Sequence, residues 1–440
     1  MAATLADSIR ASVAAADAAA FAAVSSENAA DGVGSTPAAG SPPAQLDISG
    51  TGSVTVPSGY SVVLNFGNAQ PVIGSGNAGV LYEGDTAGQT FFVEGGSATV
   101  AMTGGGNTVA VPTVGGANYT VVTGIVDPSA TVYAVSDTLG GNLIALGSGD
   151  DSAAAGLGRN TYFLGAGNDV IASEGADTIV GGSGAATISA LGTGALAFGG
   201  AGNMSFVNAG GSATIVSGSG VNTITGGSGT LVTFGSTGKD LITGGSGGNN
   251  VLVGGTGSAT LTGGGGDQLY ANGKAGDTLN ASAGQTTLGA VGSTGNNLLN
   301  GGASADVIAT GGGVDTVVAG TGAATIFGGF GTTDLFAGAG SNEEFIGSSG
   351  TTSVQASSGT LVAFLAKGVA DFALTNGSAG GTLSIYGFKV GTGGDTFHLT
   401  GYGSTNPVAT TAAGSTSFTL SDNTHVTLVN VTGLTSSSFV

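Results

Sequence analysis

Large apolar residues recur about every nine positions between residues 165 and 350, and glycine-rich segments separate them. The clearest stretch, Gly301 to Gly329, reads GGASADVIATGGGVDTVVAGTGAATIFGG. In each unit a small or polar residue precedes an aliphatic or aromatic one by two positions, and successive units lie 8 to 11 residues apart. The apolar positions are Ile242, Leu252, Leu261, Leu269, Leu279, Leu288, Leu299, Ile308, Val317, Ile326 and Phe336. Such a short period predicts a β-solenoid.

Each unit is predicted to be one tight turn followed by one short strand. Glycine makes the turn because a positive φ costs it little. A single short strand buries almost nothing, whereas stacked strands pair edge to edge and form a continuous core from their Ile, Leu and Val side chains. The expected fold is therefore all-β, with about 18 residues in each coil.

Three units resemble a known repeat. GAGNDVIAS (165–173), GGGGDQLYA (263–271) and GKAGDTLNA (273–281) are similar to the GGxGxDxUx nonapeptide of RTX, or hemolysin-type calcium-binding, proteins. The resemblance covers a little under half of the chain. It implies a parallel β-roll in which Ca²⁺ lies between same-side turns of adjacent coils, held by the sixth-position carboxylate and by backbone carbonyls, which are hard oxygen ligands.

Only some of the repeat units have a carboxylate at the sixth position. It is Asn250 or Asn297 in two units, Ala259 or Ala324 in two, and Thr286 in one. The candidate calcium ligands are Asp151, Asp169, Asp177, Asp240, Asp267, Asp277, Asp306, Asp315 and Asp334. Same-side partners should lie about 18 residues apart, which pairs Asp315 with Asp334 and Asp151 with Asp169. The sequence thus predicts a solenoid with a few calcium sites, much of which is held by strand stacking alone.

The amino-acid composition limits the classes of molecule that the protein could bind. The chain has 90 Gly, 6 Lys and Arg against 26 Asp and Glu, a net charge of −20 and no Cys. Such acidity disfavours nucleic acid and anionic membranes, which require basic patches. A hydrophobic content of 40% argues against disorder. No apolar run is long enough to span a membrane as a helix.

Four regions are expected along the chain. Residues 1–45 are predicted to be a short N-terminal helix and a linker. Residues 46–150 form either an irregular β-domain or a less regular start of the solenoid, 151–350 the RTX-like solenoid, and 351–440 a C-terminal β cap. The terminus, SFTLSDNTHVTLVNVTGLTSSSFV, resembles the uncleaved C-terminal signals of RTX-type proteins exported by type I secretion, although a plain terminal β-hairpin would also fit. This reading predicts a secreted protein, located at the cell surface of a Gram-negative bacterium.

The sequence predicts that the protein is not an enzyme. His398 and His425 lie in strand patterns without neighbouring Glu or Cys. Glu343 and Glu344 are adjacent, so in a strand their side chains point to opposite faces. The favoured function is an extracellular structural protein that binds copies of itself, and cell-surface polysaccharide is a second possible partner. The alternatives are a secreted adhesin or carbohydrate-binding module that uses residues 46–140, and an accessory to an enzyme or toxin.

Overall fold

The computed structural model of the chain describes residues 140–440 apart from 148, 156, 193, 283, 339–341, 379 and 404–406. Before residue 140 it describes ten strands and residue 60. The fold is all-β and is a parallel β-solenoid, which confirms the predicted fold class. The predicted N-terminal helix lies outside the described residues.

The chain divides into two compact units, one ending at Gly229 and the other beginning at Thr230. In the first unit, consecutive strands alternate between two parallel ladders, so that odd-numbered strands pair with one another and even-numbered strands do the same. Its strands are β1 (Gln45–Ile48), β2 (Thr51–Val56), β3 (Val62–Asn65), β4 (Asn68–Ile73), β5 (Val80–Gly84), β6 (Thr90–Val93), β7 (Ala98–Met102), β8 (Thr108–Val111), β9 (Tyr119–Thr123), β10 (Thr131–Val135), β11 (Gly140–Ala145), β12 (Asp151–Ala155), β13 (Arg159–Phe163), β14 (Asp169–Ser173), β15 (Thr178–Val180), β16 (Ala186–Ala190), β17 (Ala195–Phe198), β18 (Met204–Asn208), β19 (Ala213–Val216) and β20 (Asn222–Thr225).

The second unit has the same alternation up to β38 and then changes direction. Its strands are β21 (Leu231–Phe234), β22 (Asp240–Thr243), β23 (Val251–Val253), β24 (Ala259–Gly263), β25 (Gln268–Tyr270), β26 (Thr278–Ala281), β27 (Thr287–Gly289), β28 (Leu298–Asn300), β29 (Asp306–Ala309), β30 (Val314–Val318), β31 (Ala324–Phe327), β32 (Thr332–Phe336), β33 (Asn342–Ile346), β34 (Thr352–Gln355), β35 (Thr360–Phe364), β36 (Ala370–Thr375), β37 (Thr382–Tyr386), β38 (Thr396–Thr400), β39 (Thr410–Ala412), β40 (Ser415–Thr419) and β41 (His425–Val429). A 3₁₀-helix, Ser436–Ser438, precedes the C-terminus.

The inward side chains of successive strands stack to form the core, and longer strands such as β36 contribute up to three of them. Ten of the eleven apolar positions predicted from the repeat, Ile242 through Ile326, are fully buried. The prediction of Phe336 is wrong: it is 41% exposed, and its neighbour Leu335 is buried in its place. Alternation along β32 puts adjacent side chains on opposite faces, so a shift of one residue exchanges core and surface.

The ladders do not break at the expected region boundaries. β10 pairs with β12 and β11 with β13 across residue 150, and β33 pairs with β35 across residue 350. The described strands β1 to β10 therefore have the same parallel pairing as the later coils. The parallel coils extend to Thr400.

The C-terminal end of the second unit is closed by an antiparallel hairpin. β41 is parallel to β37 and antiparallel to β40, which in turn pairs with β39. Phe418 and Phe439 pack against the buried ring of Phe397, with centroids at 5.4 and 5.9 Å. The backbone N–H of Val440 donates to the carbonyl of Phe397 at 2.9 Å. The last coil is thus covered by chain that follows it. Within the described residues, no helix has the length and apolarity needed to cross a bilayer.

Candidate metal centre

The glycine turns of successive coils stack in direct contact. In the first unit, a Cβ on Gly182 would lie 1.8 Å from the carbonyl oxygen of Gly165, and a Cβ on Gly200 would lie 1.8 Å from that of Gly182. The N–H of Ser183 donates to the Gly165 carbonyl at 3.0 Å. Only glycine permits this approach. It produces rows of carbonyl oxygens along the edge of the solenoid.

The residue two positions before each buried core residue is here called the slot. Slot carboxylates point inward beneath the turn and accept hydrogen bonds from backbone N–H groups. Asp306 Oδ2 accepts from Gly302 at 2.6 Å, and its Oδ1 accepts from Thr286 in the adjacent coil at 2.9 Å. Eight of the nine predicted ligands occupy slots and are at most 5% exposed: Asp151, Asp169, Asp177, Asp240, Asp267, Asp277, Asp306 and Asp315. The sequence thus located the slot correctly in these units.

Three of these carboxylates stack on asparagine. Nδ2 of Asn160 donates to Asp177 at 2.9 Å, that of Asn250 to Asp267 at 2.9 Å, and that of Asn297 to Asp315 at 2.8 Å, in each case to Oδ1. The backbone N–H of the same asparagine donates to the same oxygen in all three pairs. The side-chain amide and the backbone N–H of a neutral residue therefore each donate one hydrogen bond to the buried carboxylate, which stabilises its charge. These three Asn–Asp ladders need no cation to hold the stacked turns together.

Asp151 and Asp169 form a stacked pair of carboxylates. Ser152 pairs in register with Val170, which places the preceding residues, Asp151 and Asp169, in adjacent turns. They are 1% and 2% exposed.

The turns of this pair also supply oxygen donors. The carbonyl oxygens of Gly147 and Gly149 face the next turn so closely that a Cβ on Gly165 or Gly167 would lie 1.3 or 1.8 Å from them. Carboxylate and carbonyl oxygens are the ligands that Ca²⁺ prefers, so this donor set fits calcium. Asp151 and Asp169 would hold the ion, whose charge would offset the repulsion between them.

Asp334 is not in a slot, so its predicted pairing with Asp315 is wrong. In register, Asp315 lies opposite Thr333, while Asp334 lies opposite Thr316 and Ser353 on the outer face. Thr333 is buried and holds the slot. The sequence could not decide between the two frames, because Leu335 follows Thr333 by two residues and Phe336 follows Asp334 by two.

Two further acidic slots were missed. Glu343 is 3% exposed, precedes buried Phe345 by two residues, and accepts from the N–H of Gly338. Asp395 precedes buried Phe397 and accepts from the N–H groups of Ala370 and Lys389, each at 2.7 Å. The two-residue offset to an apolar residue would have identified both. Across the described residues, no three His, Asp, Glu or Cys side chains cluster as a metal site.

Burial raises the pKa of several carboxyl groups that occupy slots. Burial raises the pKa of Asp277 to about 6, although hydrogen bonds from the N–H groups of Ala259 and Asn272 oppose the shift, and the charge of Asp240 adds slightly to it. Burial likewise raises the pKa of Asp177 and of Asp306 against the hydrogen bonds that each accepts. In the absence of a cation, ionisation of these groups therefore opposes folding.

A pH dependence of stability follows from Asp277. Between its unfolded pKa of 3.8 and its folded pKa of about 6, the unfolded chain has lost this proton while the folded chain retains it. The free energy of unfolding of calcium-free protein should therefore fall as pH rises from about 4 to about 6. Asp277→Asn should flatten that fall, as measured by urea unfolding at several pH values. A variant with the wild-type pH profile would contradict the assignment.

A known sequence repeat matches the segments that form the glycine turns. Four copies of the RTX calcium-binding nonapeptide repeat match residues 137–171, 170–188, 291–326 and 310–343. The first segment contains both Asp151 and Asp169. No curated protein matches the chain. RTX nonapeptide repeats bind calcium, and proteins that carry them are typically secreted by type I systems. The chain is therefore a parallel β-solenoid that carries four RTX calcium-binding nonapeptide repeats, with calcium as its cofactor.

Proposed function

We propose that this protein is a secreted structural protein that assembles with copies of itself, aided by calcium, into a layer, matrix or fibre at the surface of a Gram-negative cell. The observation that supports this most is the uniformity of its coils. In the second unit, β22 to β38 repeat the same parallel coil, and outward positions such as Thr260, Thr278 and Thr316 recur along it. A repeated surface suits repeated contacts better than one selective site.

The proposal includes no catalytic activity. His398 lies on an outer face with Nε2 3.1 Å from Oδ2 of Asp371, whose Oδ1 accepts a hydrogen bond from Thr396 at 2.8 Å. Nδ1 of His425 lies 2.9 Å from the hydroxyl of Thr419. Glu343 is buried while the adjacent Glu344 is exposed. These contacts hold the two histidines in strand positions.

We also propose export through a type I route that reads the C-terminal hairpin and tail. Removing residues 415–440 should leave the protein inside the producing cell. The control removes one coil, residues 301–318, and leaves the terminus intact; this variant should be exported. Normal export of the terminal truncation would contradict the route.

The assembly proposal is tested by electron microscopy and sedimentation of the full chain across a calcium titration. A net charge of −20 makes copies repel one another at low salt, and divalent cations should screen or bridge that charge. Ordered sheets or fibres should therefore appear at millimolar Ca²⁺ and disappear with chelator. Discrete monomers under all conditions would contradict the proposal and favour a monomeric adhesin.

A further inference from the structure

One outer face of the second unit has an apolar side chain at the same position of nearly every coil. The row belongs to the odd-numbered ladder, and each member is in register with the next. It is here called the apolar stripe and consists of Phe234, Val253, Tyr270, Gly289, Ala309, Phe327, Ile346, Phe364 and Tyr386. The repeat does not require apolar residues in the stripe, because the side chains that form the core point to the opposite face of each strand.

The rings of the stripe lie exposed along the face. Phe234, Phe327, Phe364 and Tyr386 are 46%, 41%, 39% and 37% exposed. The rings of Phe364 and Tyr386 stack with centroids 4.7 Å apart and planes 17° apart. A Cβ on Gly289 would lie 2.8 Å from the ring of Tyr270, so that ring covers the gap left by the glycine. The stripe is therefore continuous where one residue lacks a side chain.

The face beside the stripe carries little charge. The parallel outward row two residues earlier is Val232, Val251, Gln268, Thr287, Val307, Thr325, Glu344, Val362 and Ser384, with Glu344 its one formal charge. Val307, Val362 and Phe364 also border a groove of about 510 Å³, which Asp306, Glu343 and Glu344 line as well. The two rows together form a largely apolar surface in which Glu344 is the one charged side chain.

The area of this surface is that of a weak interface between two proteins. Nine strands spaced about 4.8 Å apart extend for about 38 Å, and two outward rows are roughly 14 Å wide. The contact would cover roughly 500 Å² on each copy, which is near the lower limit for specific association between two proteins. Such a contact is concentration-dependent for a pair and gains strength in an assembly, where each copy is held by several neighbours.

The net charge of the chain indicates which partner binds the apolar stripe. An anionic membrane or nucleic acid is repelled by a chain of net charge −20. A basic partner would be drawn to acidic surface instead of to this face. Two copies of the chain repel each other elsewhere, yet they can bring their uncharged faces together. The hairpin closes the C-terminal end of this unit, which leaves a lateral face for contact.

We propose that the apolar stripe is a lateral contact between two copies of this chain, the stripe of one copy lying against that of the other about a two-fold axis. This inference rests on the proposed self-assembly and names the surface that it uses. The two-fold arrangement places like residues on both sides, so one substitution alters both halves of the contact.

The test compares two triple variants of the full chain by sedimentation in millimolar Ca²⁺. The first carries Phe327→Thr, Phe364→Thr and Tyr386→Thr. The control carries Leu241→Thr, Val318→Thr and Phe336→Thr, which are 48%, 37% and 41% exposed in the even-numbered ladder. Threonine suits an outward strand position. The stripe variant should associate at least about tenfold more weakly than wild type, and the control should match wild type.

A further variant separates loss of contact from loss of folding. Ser384→Arg keeps all the rings and adds a bulky charge beside Tyr386; with an unchanged melting temperature it should still weaken association. Assembly of wild type and of both stripe variants to the same extent would overturn the stripe while leaving self-assembly intact. Wild-type protein that stays monomeric would overturn both.

Discussion

Replacing Gly331 with alanine should destabilise the second unit by about 4 kcal/mol or more. A Cβ at this position would lie 2.0 Å from the carbonyl oxygen of Gly313 and 2.6 Å from that of Gly312. Both atoms are backbone in the adjacent turn, so no side chain can rotate to make room. The turn must instead separate from its neighbour, which lengthens the strand-pairing hydrogen bonds on either side. Because folded domains are stable by only about 5–15 kcal/mol, the expected loss is a large fraction of the total.

Gly292 provides the matched control for this substitution. It lies in the same unit, yet a Cβ added there has nothing within 4 Å. Gly292→Ala should change stability by less than about 1 kcal/mol, and the change should be favourable because alanine lowers the entropy of the unfolded chain. Urea unfolding followed by circular dichroism measures both variants. Equal effects of the two substitutions would mean that the turns do not stack in contact.

Leu335→Ala should cost about 2–5 kcal/mol, whereas Phe336→Ala should cost less than about 1 kcal/mol. Leu335 is 1% exposed and stacks in register between Val317 and Val354, while the larger Phe336 is 41% exposed. The smaller residue is thus expected to matter more, which is opposite to the order that side-chain size alone predicts. The same unfolding experiment tests both. If Phe336→Ala is the more damaging change, β32 has the frame that puts Asp334 in the slot.

The sequence predicted the core where the repeat is unambiguous. Leu279 and Leu288 each follow a glycine turn at a fixed offset, and each has a single apolar candidate for the inward position, so period and polarity agree. In β32 two adjacent apolar residues satisfy the offset equally well, and only the pairing with neighbouring strands selects Leu335. In β32, spacing along the chain alone therefore does not determine which side chains face the core.

The candidate site could be predicted only in part, for a related reason. The period located the buried carboxylates such as Asp306 and Asp315. The spacing of about 18 residues also pairs Asn297 with Asp315, but it does not predict that the two residues are joined directly by hydrogen bonds. Asp395 was missed because a loop of Gly387 to Gly394 separates it from β37 and interrupts the nine-residue spacing. The apolar stripe was missed because the repeat constrains the inward row only.

The central claim is that calcium stabilises this solenoid through the stacked carboxylates Asp151 and Asp169. Thermal melting of calcium-stripped protein during a Ca²⁺ titration tests it most directly, with Asp169→Asn and Asp334→Asn compared at each step. Both variants remove one negative charge, but Asp334 lies on an outer face. Since calcium binds the folded form, a hundredfold excess over its dissociation constant adds about 2.7 kcal/mol, which raises the melting temperature of wild type by about 5 °C or more. We expect Asp169→Asn to lose most of that rise and Asp334→Asn to keep it. A melting temperature indifferent to calcium, or a rise lost in Asp334→Asn and kept in Asp169→Asn, would contradict the account.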